Sequence, residues 1–310
     1  MRKDLYYDSC GIGKIHACVW IPEGEPRAVL QIVHGIAEYV ERYDHFAAYL
    51  NSLGYLVVAE DHMGHGKSIG KNGVQGWFCG GWMNAVKDTY RLMQDTMAEY
   101  PGLPYVLFGH SMGSFMARTL IQEYPDSGIA AAIICGSGWM PGSVLTMGQL
   151  MAKLICRTSG ERNPSPMLQK LMFGSYNQRI EHPRTAYDWL SRDNRVVDAY
   201  AEDPLCGFIP SAGLVRDMMG GMLHIQKKEN LGKMNKELPV FFIAGGDDPV
   251  GGYGSGVRQA AEEFRKIGMK NVSMRIYPLC RHEIHNEINK EEIFEDVSQW
   301  LEPLIKCDKI

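Results

Sequence analysis

Short, nearly continuous apolar runs recur along the chain, and each ends at turn residues. Strands that are apolar throughout are buried on both faces, which is typical of a parallel sheet covered by helices. The alternation of such runs with longer helical patterns predicts a doubly wound α/β sheet, with residues 15–21 adding antiparallel strands at one edge. The predicted strands are residues 28–33, 55–59, 105–108, 129–135, 240–243 and 272–277. The predicted helices are residues 42–53, 84–100, 112–124, 255–267 and 291–305.

This alternation stops between residues 139 and 233, where helix-compatible segments are interrupted by prolines. Eight of the 18 methionines lie between Met140 and Met222. Methionine adapts to irregular shapes, so a Met-rich helical insertion predicts an apolar lid over a pocket. A helical subdomain whose methionines fill its own core is the alternative. Either way we expect a core of residues 1–138 and 234–310 with a cap of residues 139–233.

Composition narrows the class of protein further. The 310 residues are 45% hydrophobic and 22% charged, as in ordinary globular proteins. A net charge of −4 without a basic cluster argues against nucleic-acid binding. The longest apolar stretch, residues 129–135, is far shorter than the roughly 20 residues of a membrane span. The first eight residues lack the apolar core of a signal peptide, so we expect a cytoplasmic protein.

The eight cysteines are scattered and form no C-x-x-C pair. We therefore expect free thiols that pack as small apolar residues, and the cysteine spacing gives no indication of zinc.

A candidate nucleophile lies in Gly109-His110-Ser111-Met112-Gly113, which fits the pattern G-x-S-x-G. The segment comes directly after an apolar strand and directly before a helical pattern, which is where a nucleophile elbow has to lie. Glycines two residues on either side let the chain turn sharply without collisions. Ser111 is thus predicted to be a catalytic nucleophile.

A serine hydroxyl needs a base within hydrogen-bond reach, and in this architecture the order along the chain is Ser, then Asp or Glu, then His. Only His282 and His285 follow the acidic candidates, and His282 lies in the loop after the last predicted strand. We therefore expect His282 to be the base. Asp247 and Asp248 both follow the strand at residues 240–243, and the Pro249 that follows favours Asp248 in an extended loop. Spacing leaves both open.

The oxyanion of an acyl-transfer reaction needs two backbone amides. One is expected from Met112, directly after the nucleophile. The loop His34-Gly35-Ile36-Ala37-Glu38, which follows the first predicted parallel strand, would supply the other from Ile36. Glu38 is expected to brace this loop.

Four segments together resemble the monoacylglycerol lipase and lysophospholipase branch of the α/β-hydrolases. They are residues 34–38, 61–68, 109–114 and 281–285. The resemblance implies the α/β-hydrolase fold with a variable helical cap, Ser111 as nucleophile, Asp248 as acid, His282 as base, and Ile36 and Met112 as oxyanion donors. The family usually has a small residue and then glycine where this chain has Ile36-Ala37, which bears on the width of the acyl pocket.

The expected reaction is hydrolysis of a carboxylic ester through an acyl-enzyme, without a metal or organic cofactor. Expected substrates are monoacylglycerols, lysophospholipids or shorter-chain esters, with contact to a membrane or micelle through the cap. An amidase, aminopeptidase or acyltransferase could use the same triad. A ligand-binding protein with negligible turnover is a third alternative, because a fold does not fix a function.

Overall fold

The computed structural model describes residues 1–70 and 73–306, and within them one sheet of eight strands forms the centre of the molecule. The strand order is β1-β2-β4-β3-β5-β6-β7-β8. Strand β2 pairs antiparallel with β1 on one side and with β4 on the other. All the remaining neighbours in this order pair parallel. The strands are β1 Arg2–Asp8, β2 Lys14–Trp20, β3 Ala28–Val33, β4 Tyr55–Glu60, β5 Tyr105–His110, β6 Ile129–Cys135, β7 Val240–Gly245 and β8 Val272–Tyr277. The predicted α/β architecture, including its antiparallel edge, is confirmed.

Helices cover both faces of this sheet because successive strand residues point to opposite sides. In β3, for example, Val29 and Val33 join the apolar cluster on one face of the sheet, while Leu30 joins the cluster on the other face. The core helices are α1 Asp44–Ser52, α2 Trp82–Glu99, α3 Met112–Glu123, α9 Ser255–Lys266 and α10 Lys290–Lys306. Their bounds differ from the predicted ones by about two residues, within the range over which helix ends fray.

The segment between β6 and β7 is helical. It contains α4 Gly142–Ser159, α5 Pro166–Phe173, α6 Asn194–Glu202, α7 Ala212–Ile225 and α8 Lys228–Lys233. Helix α7 packs against α4 and also against α2 and α3 of the core, and α8 packs against α3. The insertion is therefore anchored to the core by its last two helices. The exact limits of the cap, residues 139–233, stay a prediction.

Cysteine chemistry and hydropathy add two observations. Seven cysteines lie in the described residues and all are free thiols; Cys307 lies outside the described residues. Among the helices of residues 1–70 and 73–306, none has the length and apolarity needed to cross a membrane. The compartment stays a prediction.

Candidate active site

Ser111 lies at the turn between β5 and α3. It has φ 53° and ψ −121°, a backbone region that residues other than glycine rarely adopt. A Cβ on Gly109 would lie 2.6 Å from the Gly113 carbonyl oxygen, and one on Gly113 would collide with the Val33 carbonyl. The Ser111 amide donates to the Cys135 carbonyl oxygen at 3.0 Å, which ties the turn to β6. Ser111 therefore has the strained strand-to-helix geometry of a nucleophile elbow.

A second segment, Gly66-Lys67-Ser68-Ile69-Gly70, also fits G-x-S-x-G. It forms a short 3₁₀ turn, residues Gly66–Ile69, and no strand leads directly into it. Ser68 is buried, and its hydroxyl oxygen accepts a hydrogen bond from the His16 amide at 2.8 Å. The pattern alone is thus ambiguous in this chain, and the strand before it and the helix after it distinguish Ser111.

The predicted base and acid meet in the loops that follow β8 and β7. His282 Nδ1 lies 2.9 Å from Asp248 Oδ1, and both side chains are buried. The Val250 amide donates to the same carboxylate oxygen at 2.8 Å and helps to fix it. Burial disfavours the imidazolium, but the Asp248 carboxylate outweighs this effect and raises the pKa of His282. The pair can hold one imidazole tautomer and stabilise a proton on the ring.

The structure distinguishes the two candidates for the acid, Asp247 and Asp248, and the two histidines that follow them in the chain. Asp247 is exposed, whereas Asp248 contacts the imidazole. His285 packs against Tyr43 with ring centroids 4.7 Å apart, and neither of its ring nitrogens has a hydrogen-bond partner among the described residues. His285 therefore belongs to the packed interior behind the site. The geometry favours Asp248 and His282.

The loop predicted to supply an oxyanion amide lies beside Ser111. Ile36 lines the same cavity as Ser111, and Met112 is the first residue of α3. Ala37 adopts φ 57°, and its carbonyl oxygen accepts hydrogen bonds from the Tyr200 hydroxyl at 2.9 Å and the Gly207 amide at 3.0 Å. Two residues of the insertion therefore hold the loop in place. The oxyanion roles of the Ile36 and Met112 amides stay predictions.

Glu38 braces this loop from behind. Its carboxylate accepts hydrogen bonds from the Gly35 amide at 2.6 Å, the Tyr43 hydroxyl at 3.0 Å and Arg42 at 2.7 Å. Arg42 also donates twice to Glu283, at 2.7 and 2.6 Å. Burial opposes ionisation of Glu38, yet the hydrogen bond with His110 at 3.1 Å and the charge of Arg42 hold its pKa well below the ordinary value. Arg42 thus links the predicted oxyanion loop, residues 34–38, to the loop that carries His282, a role that the sequence analysis missed.

Trp189 of the insertion was also missed, although it contacts His282 directly. Its carbonyl oxygen accepts from the His282 amide at 3.2 Å, and the two rings lie 5.1 Å apart. The next carbonyl, of Leu190, accepts from the Glu283 amide at 2.7 Å. No local signal could have found Trp189, because it is more than 90 positions from His282 along the chain.

Ser111 and His282 both line one cavity of about 300 Å³. The core supplies one wall, with the oxyanion loop, and the insertion supplies the other. The aromatic and aliphatic residues of the insertion wall are Phe173, Tyr187, Trp189, Leu190, Tyr200 and Phe208. The arrangement suits a largely apolar ligand whose polar group reaches Ser111.

A parallel sheet with a serine elbow, a buried Asp–His pair and a helical insertion over the cavity defines an α/β-hydrolase. The family model described as serine aminopeptidase, S33, matches residues 24–289. The chain therefore belongs to this hydrolase family.

Named relatives agree with this assignment. A monoacylglycerol lipase of Mycolicibacterium smegmatis is 29% identical over 94% of both chains. A monoglyceride lipase of Homo sapiens is 28% identical over 91% of this chain and 84% of its own length. A thermostable carboxyl esterase from Bacillus coagulans, solved in complex with glycerol, is 32% identical, with a TM-score of 0.91 over 98% of this chain and 99% of its own. The similarities place this enzyme among the carboxylic ester hydrolases.

Proposed function

We propose that this enzyme hydrolyses monoacylglycerols through an acyl-enzyme formed on Ser111. The observation that carries the proposal is the meeting of a strained serine, a buried Asp248–His282 pair and a largely apolar cavity at one place. The names of the relatives and the glycerol bound by the Bacillus coagulans esterase support the substrate class, because glycerol is the alcohol that a monoacylglycerol releases.

In the first half of the reaction, His282 removes the proton from Ser111 as the serine oxygen attacks the ester carbonyl. The amides of Ile36 and Met112 stabilise the oxyanion, each donor contributing about 3 kcal/mol to the transition state. Collapse of the intermediate breaks the ester bond, and His282 gives its proton to the leaving glycerol oxygen. Asp248 keeps the imidazole in the required tautomer and stabilises its cation.

In the second half, water replaces the alcohol. His282 removes a proton from the water as it attacks the acyl-enzyme, and returns that proton to the serine oxygen when the fatty acid leaves. The chemistry of these steps uses only the side chains and amides of this chain, so no cofactor is needed.

Cavity charge argues against the aminopeptidase alternative. A free α-ammonium group would need an unpaired carboxylate, but Glu38 and Glu283, which line the cavity, both pair with Arg42. Lys170 adds a positive charge to the opposite wall. A neutral ester is therefore the better ligand.

The cap also presents an apolar surface that a lipid aggregate would cover. Four residues of α4 and two of α5 are exposed by 44–65%: Val144, Met147, Leu150, Leu154, Met167 and Leu171. Helix α5 carries Gln169, Lys170 and Phe173 of the cavity wall as well. We infer that this surface rests on a membrane or micelle while substrate enters.

The double variant Leu150→Ser with Leu154→Ser should lower activity on aggregated monoacylglycerol and leave activity on soluble p-nitrophenyl acetate unchanged. Ile12 is exposed elsewhere on the molecule, so Ile12→Ser should change neither activity.

The decisive experiment is a chain-length series of p-nitrophenyl esters and monoacylglycerols, with Ser111→Ala as control. A cavity of about 300 Å³ lies at the lower end of the size range of ligand sites, so we expect turnover to be highest for medium-chain monoacylglycerols and absent in the variant. Activity confined to acetyl and butyryl esters would reject the lipase and leave a small-ester hydrolase. Unchanged activity in Ser111→Ala would reject the whole mechanism.

A further inference from the structure

Four metal-ligating side chains converge at the antiparallel edge of the sheet. They are Asp4 of β1, His16 and Cys18 of β2, and Glu41 of the 3₁₀ turn Val40–Tyr43, and one ligand atom from each lies within 4.8 Å of the others. Asp4 pairs directly with Cys18 across the two strands. His16 lies two residues before Cys18, so it points to the same side of the sheet.

The distances approach those of a four-coordinate site. Cys18 Sγ lies 3.6 Å from Asp4 Oδ1 and 3.9 Å from His16 Nε2, and His16 Nε2 lies 2.7 Å from Asp4 Oδ1. Ligand atoms bound tetrahedrally at metal distances of 2.0–2.3 Å are separated by about 3.3–3.8 Å. Small side-chain movements would therefore complete the coordination.

The imidazole is also oriented in the way metal-binding histidines are. His16 Nδ1 lies 2.7 Å from Asp61 Oδ2, and both groups are buried. A carboxylate on one ring nitrogen orients the ring, and the other nitrogen, which now contacts Asp4 Oδ1 at 2.7 Å, faces the remaining ligands. Asp61 Oδ1 accepts from the Val40 amide at 2.9 Å, which ties this support to the segment after the oxyanion loop.

A cation already occupies the rim of the cluster. The Lys67 ammonium lies 2.7 Å from Glu41 Oε1 and 3.2 Å from Asp4 Oδ1, and its side chain is 42% exposed. The exposed lysine can swing into solvent and leave an access route, while Cys18 and His16 form a buried floor.

We propose that Asp4, His16, Cys18 and Glu41 form a binding site for a divalent transition metal of the zinc class. Binding displaces the Lys67 ammonium and releases the protons of the Cys18 thiol and of His16 Nε2, so that a thiolate, an imidazole and two carboxylates meet the ion. A thiolate and an imidazole select zinc-like metals over Mg²⁺ and Ca²⁺. The site is distinct from the Ser111 cavity, and the cysteine spacing could not indicate it because only one cysteine takes part.

Titration of the full-length enzyme with Co²⁺ alone tests the proposal, because a thiolate ligand gives cobalt a charge-transfer absorption band. We expect one equivalent to bind with such a band, and Zn²⁺ to remove it. Cys18→Ser should abolish the band, whereas Cys10→Ser, which changes an exposed thiol beside the same strands, should keep it. A missing band in the wild type, or a band that survives in Cys18→Ser, would overturn the proposal.

Two rim variants keep the test valid if Cys18→Ser fails to fold, and they change affinity in opposite directions. Glu41→Gln removes a ligand charge and should weaken Zn²⁺ binding about tenfold or more. Lys67→Met removes the competing ammonium and should strengthen it by a similar factor. Competition with a chromophoric chelator measures both. Equal affinity in the two variants would show that Zn²⁺ binds elsewhere and would reject the site.

Discussion

The parallel core and the helical insertion contribute to the cavity in different ways. Ser111, Asp248 and His282 come from the turns after β5, β7 and β8, at the carboxyl ends of parallel strands, where α/β sheets place their sites. The insertion adds no triad candidate. It supplies apolar walls and carbonyl or hydroxyl groups that hold the loops, such as Trp189 and Tyr200. We therefore expect the core to determine the chemistry, and the insertion to determine which ester reaches Ser111 and how firmly the loops are held.

Asp248→Asn gives the largest expected effect among changes that keep the shape of the core. The amide can donate to Nδ1 and so stabilise the wrong imidazole tautomer, which lowers kcat by about 10⁴-fold. Steady-state hydrolysis of a p-nitrophenyl ester measures this loss. Asp247→Asn is the matched control, because the neighbouring carboxylate is exposed, and it should leave kcat unchanged. Equal losses in both variants would remove Asp248 from the proposed triad.

Activity should fall on the acidic side with an apparent pKa that lies above the ordinary histidine value. Burial alone would lower the pKa of His282, but Asp248 raises it, and the base has to be neutral to accept the serine proton. We expect kcat/KM to fall about tenfold per pH unit below the His282 pKa, thus about a hundredfold over two units. A pH–rate profile with its acidic limb below the ordinary histidine pKa of about 6.5 would contradict this.

Protonation of His282, which lowers activity, should raise the free energy of unfolding. A folded-state pKa raised above the unfolded value means that protonated His282 stabilises the fold, fully so below the unfolded pKa. That contribution is lost as the pH rises through the folded-state pKa. His282→Gln should therefore lose relatively more free energy of unfolding at pH 5 than at pH 8, as denaturant titrations at the two pH values would show.

Tyr200→Phe tests the contribution of the insertion. The variant removes the hydroxyl that donates to the Ala37 carbonyl while keeping the ring, so the oxyanion loop loses one of its two bonds to the cap. We expect kcat to fall about tenfold, a fraction of what a whole oxyanion donor contributes. Tyr49→Phe, which loses a hydroxyl contact to Ser298 on the far side of the core, serves as control. If kcat is the same in both variants, the insertion does not hold the loop.

Patterns within short stretches of sequence were enough to predict the strands of the core and the turn at Ser111. Each parallel strand is a short apolar run. The elbow has no room for a Cβ at Gly109 or Gly113, so these two glycines mark it in the sequence. The order of the triad along the chain then left His282 and His285, and the position of His282 in the loop after the last predicted strand favoured it. Chain order and spacing could not separate Asp247 from Asp248, because the difference is one of burial and contact in the folded chain.

Local signals failed for the insertion because its important contacts are long-range. Trp189 reaches His282, and Tyr200 reaches Ala37 from 163 positions away. Neither residue stands in a pattern that a single sequence shows. Methionine enrichment predicted an apolar insertion, and Met218, Met219 and Met222 of α7 indeed fill a core, whereas Met147 and Met167 are exposed. The methionines of α7 thus pack into the cluster they share with the core, and none of the described residues that line the cavity is a methionine.

Ala37→Gly gives the smallest expected effect. Ala37 has φ 57°, which costs an alanine about 1–2 kcal/mol, and glycine removes this strain. Glycine also gives the unfolded chain more freedom, which offsets about 0.4–1 kcal/mol. We expect the free energy of unfolding to rise by about 0.5 kcal/mol and Tm by about 1 °C. Ala199→Gly, in the exposed middle of α6, should instead lose about 0.5–1 kcal/mol. Calorimetry that gave both variants the same sign would show that the loop backbone relaxes around residue 37, and that the insertion does not hold Ala37 in its left-handed conformation.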